Sequence, residues 1–206
     1  MLALYALTPE NIVPRWVLIA ISALIIVAML VINPRRVNTQ EEWTRWLAII
    51  LSFMLVAANL IDVYAIVLDL LNLNSDTSGP QVLLFALQVW IANVVAFAVV
   101  YWELDRGGPV ARATLRRDTL PAADFKFTQD DDNDAVLEVK KESSEQANWR
   151  PGFIDYFYFS ASNMMAFSPT DVMPLTPRAK VLMLIQAFSG FVLLALVIAR
   201  SVNILA

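Results

Sequence analysis

Uncharged apolar stretches occupy residues 16–32, 82–102 and 181–199, and a fourth at 46–71 is interrupted only by Asn59, Asp62 and Asp69. A bilayer's hydrocarbon core, about 30 Å thick, is crossed by roughly 20 helical residues. With a few flanking residues each stretch reaches that length, so four spans are expected, at about 13–33, 43–71, 81–103 and 178–205. A chain of 206 residues that is 58% hydrophobic is not an ordinary soluble domain. Trp16, Trp43, Trp46, Trp102 and Trp149 fall near span or loop ends, the place for an interfacial aromatic belt. Only Arg15 precedes the first stretch, which runs into Asn33-Pro34-Arg35-Arg36 without a small-residue cleavage site. It is expected to remain as a span rather than leave as a signal peptide.

The chain has no cysteine and no histidine. Disulfides, thiol nucleophiles, structural zinc and histidine-ligated haem are therefore excluded, and so is a serine triad with a histidine base. No enzymatic activity, catalytic residue, metal site, cofactor or nucleic-acid partner is expected. The lipid bilayer is the one partner the composition requires.

Between Tyr101 and Phe153 lies the only long polar segment. It starts as WELDRGGPVARATLRRDTL and continues into DDDNDAVLEVKKESSEQ, and we expect a solvated loop, 104–150, with a short surface helix. Asp130, Asp132 and Asp134 match the first spacings of a calcium loop. Ala135 replaces its turn glycine, however, and Lys141 its bidentate acid, so the loop is rejected. The 34–45 loop and the 103–180 region hold thirteen of the fifteen Lys and Arg residues. The positive-inside bias places both regions in the cytoplasm and both termini outside.

Residues 153–167, FIDYFYFSASNMMAF, make a helix of about 22 Å at 1.5 Å per residue, too short to cross and too apolar for water. A re-entrant or interfacial half-helix is the compromise, tolerated where protein or a water-filled cavity surrounds its end. Within the spans, Asp62 and Arg200 fall at nearly the same depth of two parallel helices. We expect an ion pair, with Asn59 and Asn203 as hydrogen-bonding neighbours and Asp69 as a substitute acid.

From Asp155 to Ser201 the chain resembles the pore module of tetrameric potassium channels. Ala166, Phe167, Ser168, Pro169, Thr170 and Asp171 fall on the family's Thr-Val-Gly-Tyr-Gly-Asp filter, and Gly190 resembles a hinge glycine of the inner helix. The whole chain is also similar to an uncharacterised family of small bacterial multi-spanning membrane proteins through YWELDRGGP and FSPTD…MPLT. The resemblance implies an all-α membrane protein with four transmembrane helices, plus a re-entrant half-helix and filter-like loop between the third and fourth. It implies a homotetramer in the bacterial plasma membrane passing a monovalent cation. The chain then divides into a two-helix unit, 1–78, and a pore-like module, 79–206.

Ser168 and Thr170 stand at both filter glycines. Left-handed backbone costs a non-glycine residue roughly 1–2 kcal/mol, and Pro169 fixes its own φ and biases Ser168 to extended geometry. The four-site carbonyl cage cannot form in its usual shape, so cation selectivity is expected to be weak. If a pore exists, the Ser168 and Thr170 hydroxyls and the Ala166 and Phe167 carbonyls line it, with Asp171 as an acidic ring at its mouth. Ser168-Pro169-Thr170-Asp171 equally fits an N-cap and first helical turn, with 169–173 helical and nothing conducted; Thr176-Pro177 repeats that device. Potassium channels also dip their loop from outside, whereas the basic residues put this one inside, as in the inverted pore module of glutamate-receptor channels. Two functions follow from these alternatives: a weakly selective cation channel, or a non-conducting accessory protein that docks a membrane partner through the half-helix and loop.

Overall fold

The computed structural model describes residues 42–71, 79–131, 136–144, 146–165 and 171–205. The first expected span and most of the filter-like loop lie outside these residues. Three long helices dominate: α1, Glu42–Leu71; α2, Gly79–Leu104; and the last, α6, Pro177–Leu205. Within the described residues, Ala48–Leu68, Leu83–Thr114 and Pro177–Ala199 are long and apolar enough to cross a membrane. The protein is a membrane protein, mostly helical.

The helix bounds have local causes. Pro80 sits in the first turn of α2, where its missing N–H costs nothing. Pro177 opens α6, and the Thr176 hydroxyl caps it, accepting from the Ala179 N–H at 3.3 Å. The Thr176-Pro177 device expected from the sequence is present.

α2 is the central helix, with α1 along one flank and α6 along another. Its Ala92, Ala96 and Ala98 are buried, and such small residues let neighbouring backbones approach. Away from α2 the middle of each long helix presents many apolar and aromatic side chains. Phe53, Met54 and Ile61 on α1 are exposed, as are Leu184, Phe188, Phe191 and Leu194 on α6. In a bilayer these faces meet acyl chains, so their exposure carries no penalty.

Beyond α2 the chain builds a compact cap. A 3₁₀ turn, Asp105–Gly107, leads into α3, Gly108–Thr114, then strand β1, Phe125–Phe127, and a single helical turn α4, Leu137–Lys140. The half-helix α5 covers Phe153–Met164, and β2, Val172–Pro174, precedes α6. The strands pair antiparallel, with Phe125 opposite Pro174, Lys126 opposite Met173 and Phe127 opposite Val172.

This cap corrects three expectations. The protein is not purely α-helical. Much of the 104–150 segment is folded, rather than a solvated loop with one surface helix. Val172 and Met173 are extended, so the helical turn expected over 169–173 does not form there. The cause is tertiary. Phe125 and Phe127 alternate about Lys126 over too few residues to register as a strand, yet both rings are buried. Phe125 stacks edge-on against Tyr101 at 5.1 Å and Phe159 at 5.0 Å, and Phe127 against Tyr156 at 5.3 Å. The aromatic core thus sits where α2, α5 and the cap meet.

Candidate functional site

The half-helix is the element whose chemistry the sequence singles out. Its N-terminus is closed by Asp155, which accepts from the Gly152 N–H at 2.7 Å and lies at the positive end of the helix dipole. It spans 12 residues, about 18 Å, and begins beside the end of α2, where Phe153 meets Trp102 edge-on at 5.7 Å. Its other end lies one-half of α2 away: Met164 clusters with Val94, Ala86, Ile66 and Leu193.

Tyr156, Ser160 and Asn163 recur at helical spacing on the buried face of α5. Each is engaged within the chain. Gln186 of α6, fully buried, is the hub of the deeper pair. Its carbonyl oxygen accepts from the Tyr101 hydroxyl at 2.8 Å and from the Asn163 amide at 2.9 Å. Its amide donates to the Ser160 hydroxyl at 2.6 Å and carbonyl at 3.1 Å. Ser160 in turn donates to the Val94 carbonyl at 2.7 Å, and Asn163 to the Met183 carbonyl at 3.1 Å. One side chain therefore ties α2, α5 and α6 together where no water competes. The track extends sideways as Asn93 donates to Ser189 at 3.2 Å and Ser189 to the Gln186 backbone carbonyl at 2.7 Å.

Gly190 completes the contact. A Cβ placed there would overlap the Met164 carbonyl oxygen and sulfur. The residue lies inside an unbroken helix, so the position the sequence offers as a hinge is where the end of α5 packs against α6.

The second cluster holds the cap to α5. Asp105, fully buried, accepts from the Tyr156 hydroxyl at 2.6 Å and from the backbone N–H groups of Asp124 at 2.7 Å and Phe125 at 3.2 Å. Burial, together with the neighbouring Asp105 charge, pushes the Tyr156 phenol far above its usual range, so it stays protonated and donates. Arg112 holds the Asp105 carbonyl at 2.6 Å and the Trp102 carbonyl at 2.9 Å, with its guanidinium 5.0 Å from the Tyr156 ring centre. The turn that permits this is Arg106-Gly107-Gly108, all at positive φ. A side chain on Gly107 would lie 2.8 Å from Pro121, so glycine serves both backbone and packing there. The motif YWELDRGGP is the structural latch between span and cap.

The sequence-predicted residues fare unequally. Ala166, Phe167, Ser168, Pro169 and Thr170 lie outside the described residues. Asp171 is half-buried at the start of β2, its carbonyl accepting from the Thr128 N–H at 3.1 Å. Asp62 is half-buried on α1, whereas the Arg200 side chain lies outside the described part. Asn59 donates across to the Val89 carbonyl at 3.2 Å, on α2. Asp130, one of the aspartates of the rejected calcium loop, pairs with Arg106 and accepts from the Phe127 N–H at 3.0 Å. Gln186, Ser160, Asn163 and Asp105 were not picked out in the sequence. The spacing of Tyr156, Ser160 and Asn163 within an aromatic helix was the available signal.

Comparison with protein-family models, curated proteins and solved structures returns no match. The likeness to a potassium-channel pore module rests on the residues from Asp155 to Ser201 alone. What the fold establishes is the class: a membrane protein with, among the described residues, three apolar helices long enough to span.

Proposed function

We propose that this chain is a membrane-embedded docking protein that does not conduct ions, its half-helix presented to a membrane partner. The observation that supports this is the division of α5 into two faces. Its inward polar groups, Tyr156, Ser160 and Asn163, are bonded within the chain, while Ile154, Phe157, Tyr158 and Met165 face outward and are exposed. A water-filled pathway needs polar groups turned toward it. An aromatic and aliphatic face, held rigid from behind, offers van der Waals packing to another membrane helix as well as to acyl chains. Reconstituted into liposomes, the protein should pass K⁺ and Na⁺ no faster than protein-free vesicles do, and Asp171→Asn should leave that rate unchanged. Flux above background that falls in Asp171→Asn would overturn the reading.

The course of the chain favours a second reading, a weakly selective cation channel. α5 starts beside Trp102, ends beside Val94 and Gly190, and by Val172 the backbone pairs with β1 in the cap again. A short helix that starts and is followed by chain at the same end of the bundle is compatible with a re-entrant pore loop. In this reading four copies gather Ser168, Thr170 and Asp171 about an axis in the plasma membrane, and a fourfold assembly in lipid with those residues on its axis would favour it. Either reading keeps the proposed Asp62–Arg200 pair. Arg200→Leu should lower the detergent melting temperature, by about 3–5 kcal/mol of stability if Asp62 is left buried alone.

A further inference from the structure

The cap carries a cavity that neither function uses. It measures about 190 Å³, and Arg106, Arg112, Arg117 and Arg150 converge on it together with Asp130 and Trp149. Four guanidinium groups around one small space repel one another unless something negative offsets them. Among the described residues, acids offset only two of them. Asp130 and Asp105 both pair with Arg106, and the Asp105 and Glu103 charges also act on Arg112. Among the described residues, no carboxylate lies within ion-pair distance of Arg117 or Arg150.

Those two arginines are held by backbone carbonyls and the Asn148 side chain rather than by described acids. Arg150 donates to the Arg112 carbonyl, and to the Leu115 carbonyl at 3.0 Å, which satisfies the end of α3. Arg117 donates to Asn148 Oδ1 at 3.2 Å and to the Trp149 carbonyl. A guanidinium has five N–H donors in a rigid fork, so each of these cavity-lining arginines retains donors that these bonds do not use. The Arg150 Nε–H is buried and meets no acceptor among the described residues. A buried donor on a cation, left unpaired, is expensive. An anion in the cavity removes that cost.

We propose that this cavity binds a phosphate group. Forked guanidinium donors match tetrahedral phosphate oxygens, and two or three arginines on one phosphate give short, charge-assisted bonds. The location points the same way. The cavity adjoins Trp149 and Pro151, two residues before the exposed Phe153 and Ile154, so it lies where span-level aromatic residues give way to polar cap. Headgroup phosphates occupy that depth, and basic pockets at the ends of spanning helices bind them. The phosphate is carried by an anionic phospholipid or arrives as a free anion.

The full chain in nanodiscs distinguishes these sources. Native mass spectrometry should find one phosphatidylglycerol or phosphatidic acid retained per chain where phosphatidylcholine is not. Arg117→Gln combined with Arg150→Gln should weaken that retention by at least about tenfold. Arg116→Gln, exposed and beside the cavity but not lining it, should change it little, which controls for net charge. Because Arg150 also caps α3, Arg117→Gln alone is measured with thermal melting. Weakened retention without a change in melting temperature supports the site. Inorganic phosphate raising the melting temperature of the wild type, but not of the double variant, with no lipid preference, supports the free-anion source. Neither lipid nor phosphate responding, or Arg116→Gln weakening retention as much as the double variant, overturns the proposal.

Discussion

Asp105 and Gly190 do the most for the architecture per residue, one through charge and one through the absence of a side chain. The Asp105 carboxylate stands at the junction of α2, β1 and α5, and its partners are buried with it. Asp105→Ala would strand the Tyr156 hydroxyl and two backbone N–H groups, each costing about 1–3 kcal/mol. The expected loss is roughly 3–5 kcal/mol, read as a fall in detergent melting temperature, and Tyr156→Phe should lose less because the N–H groups keep their acceptor. An equal loss in both variants would show that the carboxylate serves Tyr156 alone. Gly190→Ala drives a methyl into Met164 and should cost about 1–3 kcal/mol, the range for overpacking. Gly152→Ala is the matched control, since its added carbon would meet only Asp155 Oδ2, at 3.7 Å.

Among the elements, α5 is tied to α2 and α6 through Gln186. Gln186→Leu leaves Tyr101, Ser160 and Asn163 to find other partners. Hydrogen bonds between membrane helices average well under 1 kcal/mol in such tests, because the disrupted state also finds partners. A loss of about 1–2 kcal/mol is therefore expected. A cycle of Gln186→Leu with Tyr101→Phe should show coupling, whereas independent additive losses would mean that the bond at 2.8 Å contributes nothing. The long helices were legible in the sequence: the expected spans at 43–71, 81–103 and 178–205 lie within two residues of α1, α2 and α6 at each end. Length and lack of charge determine such helices locally. The half-helix was legible for the same reason, though it stops at Met164 rather than 167. The cap was not legible. Its strands are three residues each, and Phe125 and Phe127 become strand residues only because Tyr101, Tyr156 and Phe159 wait for them. The hub at Gln186 was hidden too, since one glutamine in an apolar run does not reveal which helices will face it.

For the molecule as a whole, the decisive quantity is the side of the membrane on which the cap lies. The cap, with its latch at Asp105 and its arginine cavity, sits at one end of α2 and the start of α6, so those two helix ends share a side. The distribution of Lys and Arg argues that this side is the cytoplasm, because short basic loops resist translocation. If the four spans expected from the sequence alternate, 34–45 falls on that side and 72–80 on the other. The native chain contains no cysteine, so single-cysteine variants report each loop without background. In right-side-out cells, Thr39→Cys and Glu142→Cys should resist a membrane-impermeant maleimide until the cells are opened, while Ser75→Cys should react at once. If Thr39→Cys and Glu142→Cys label from opposite sides, the alternation fails and the bundle has a different number of crossings. Should they label together from outside, the spans stand and the charge argument fails, and α5 then descends from the face by which potassium-channel pore loops enter.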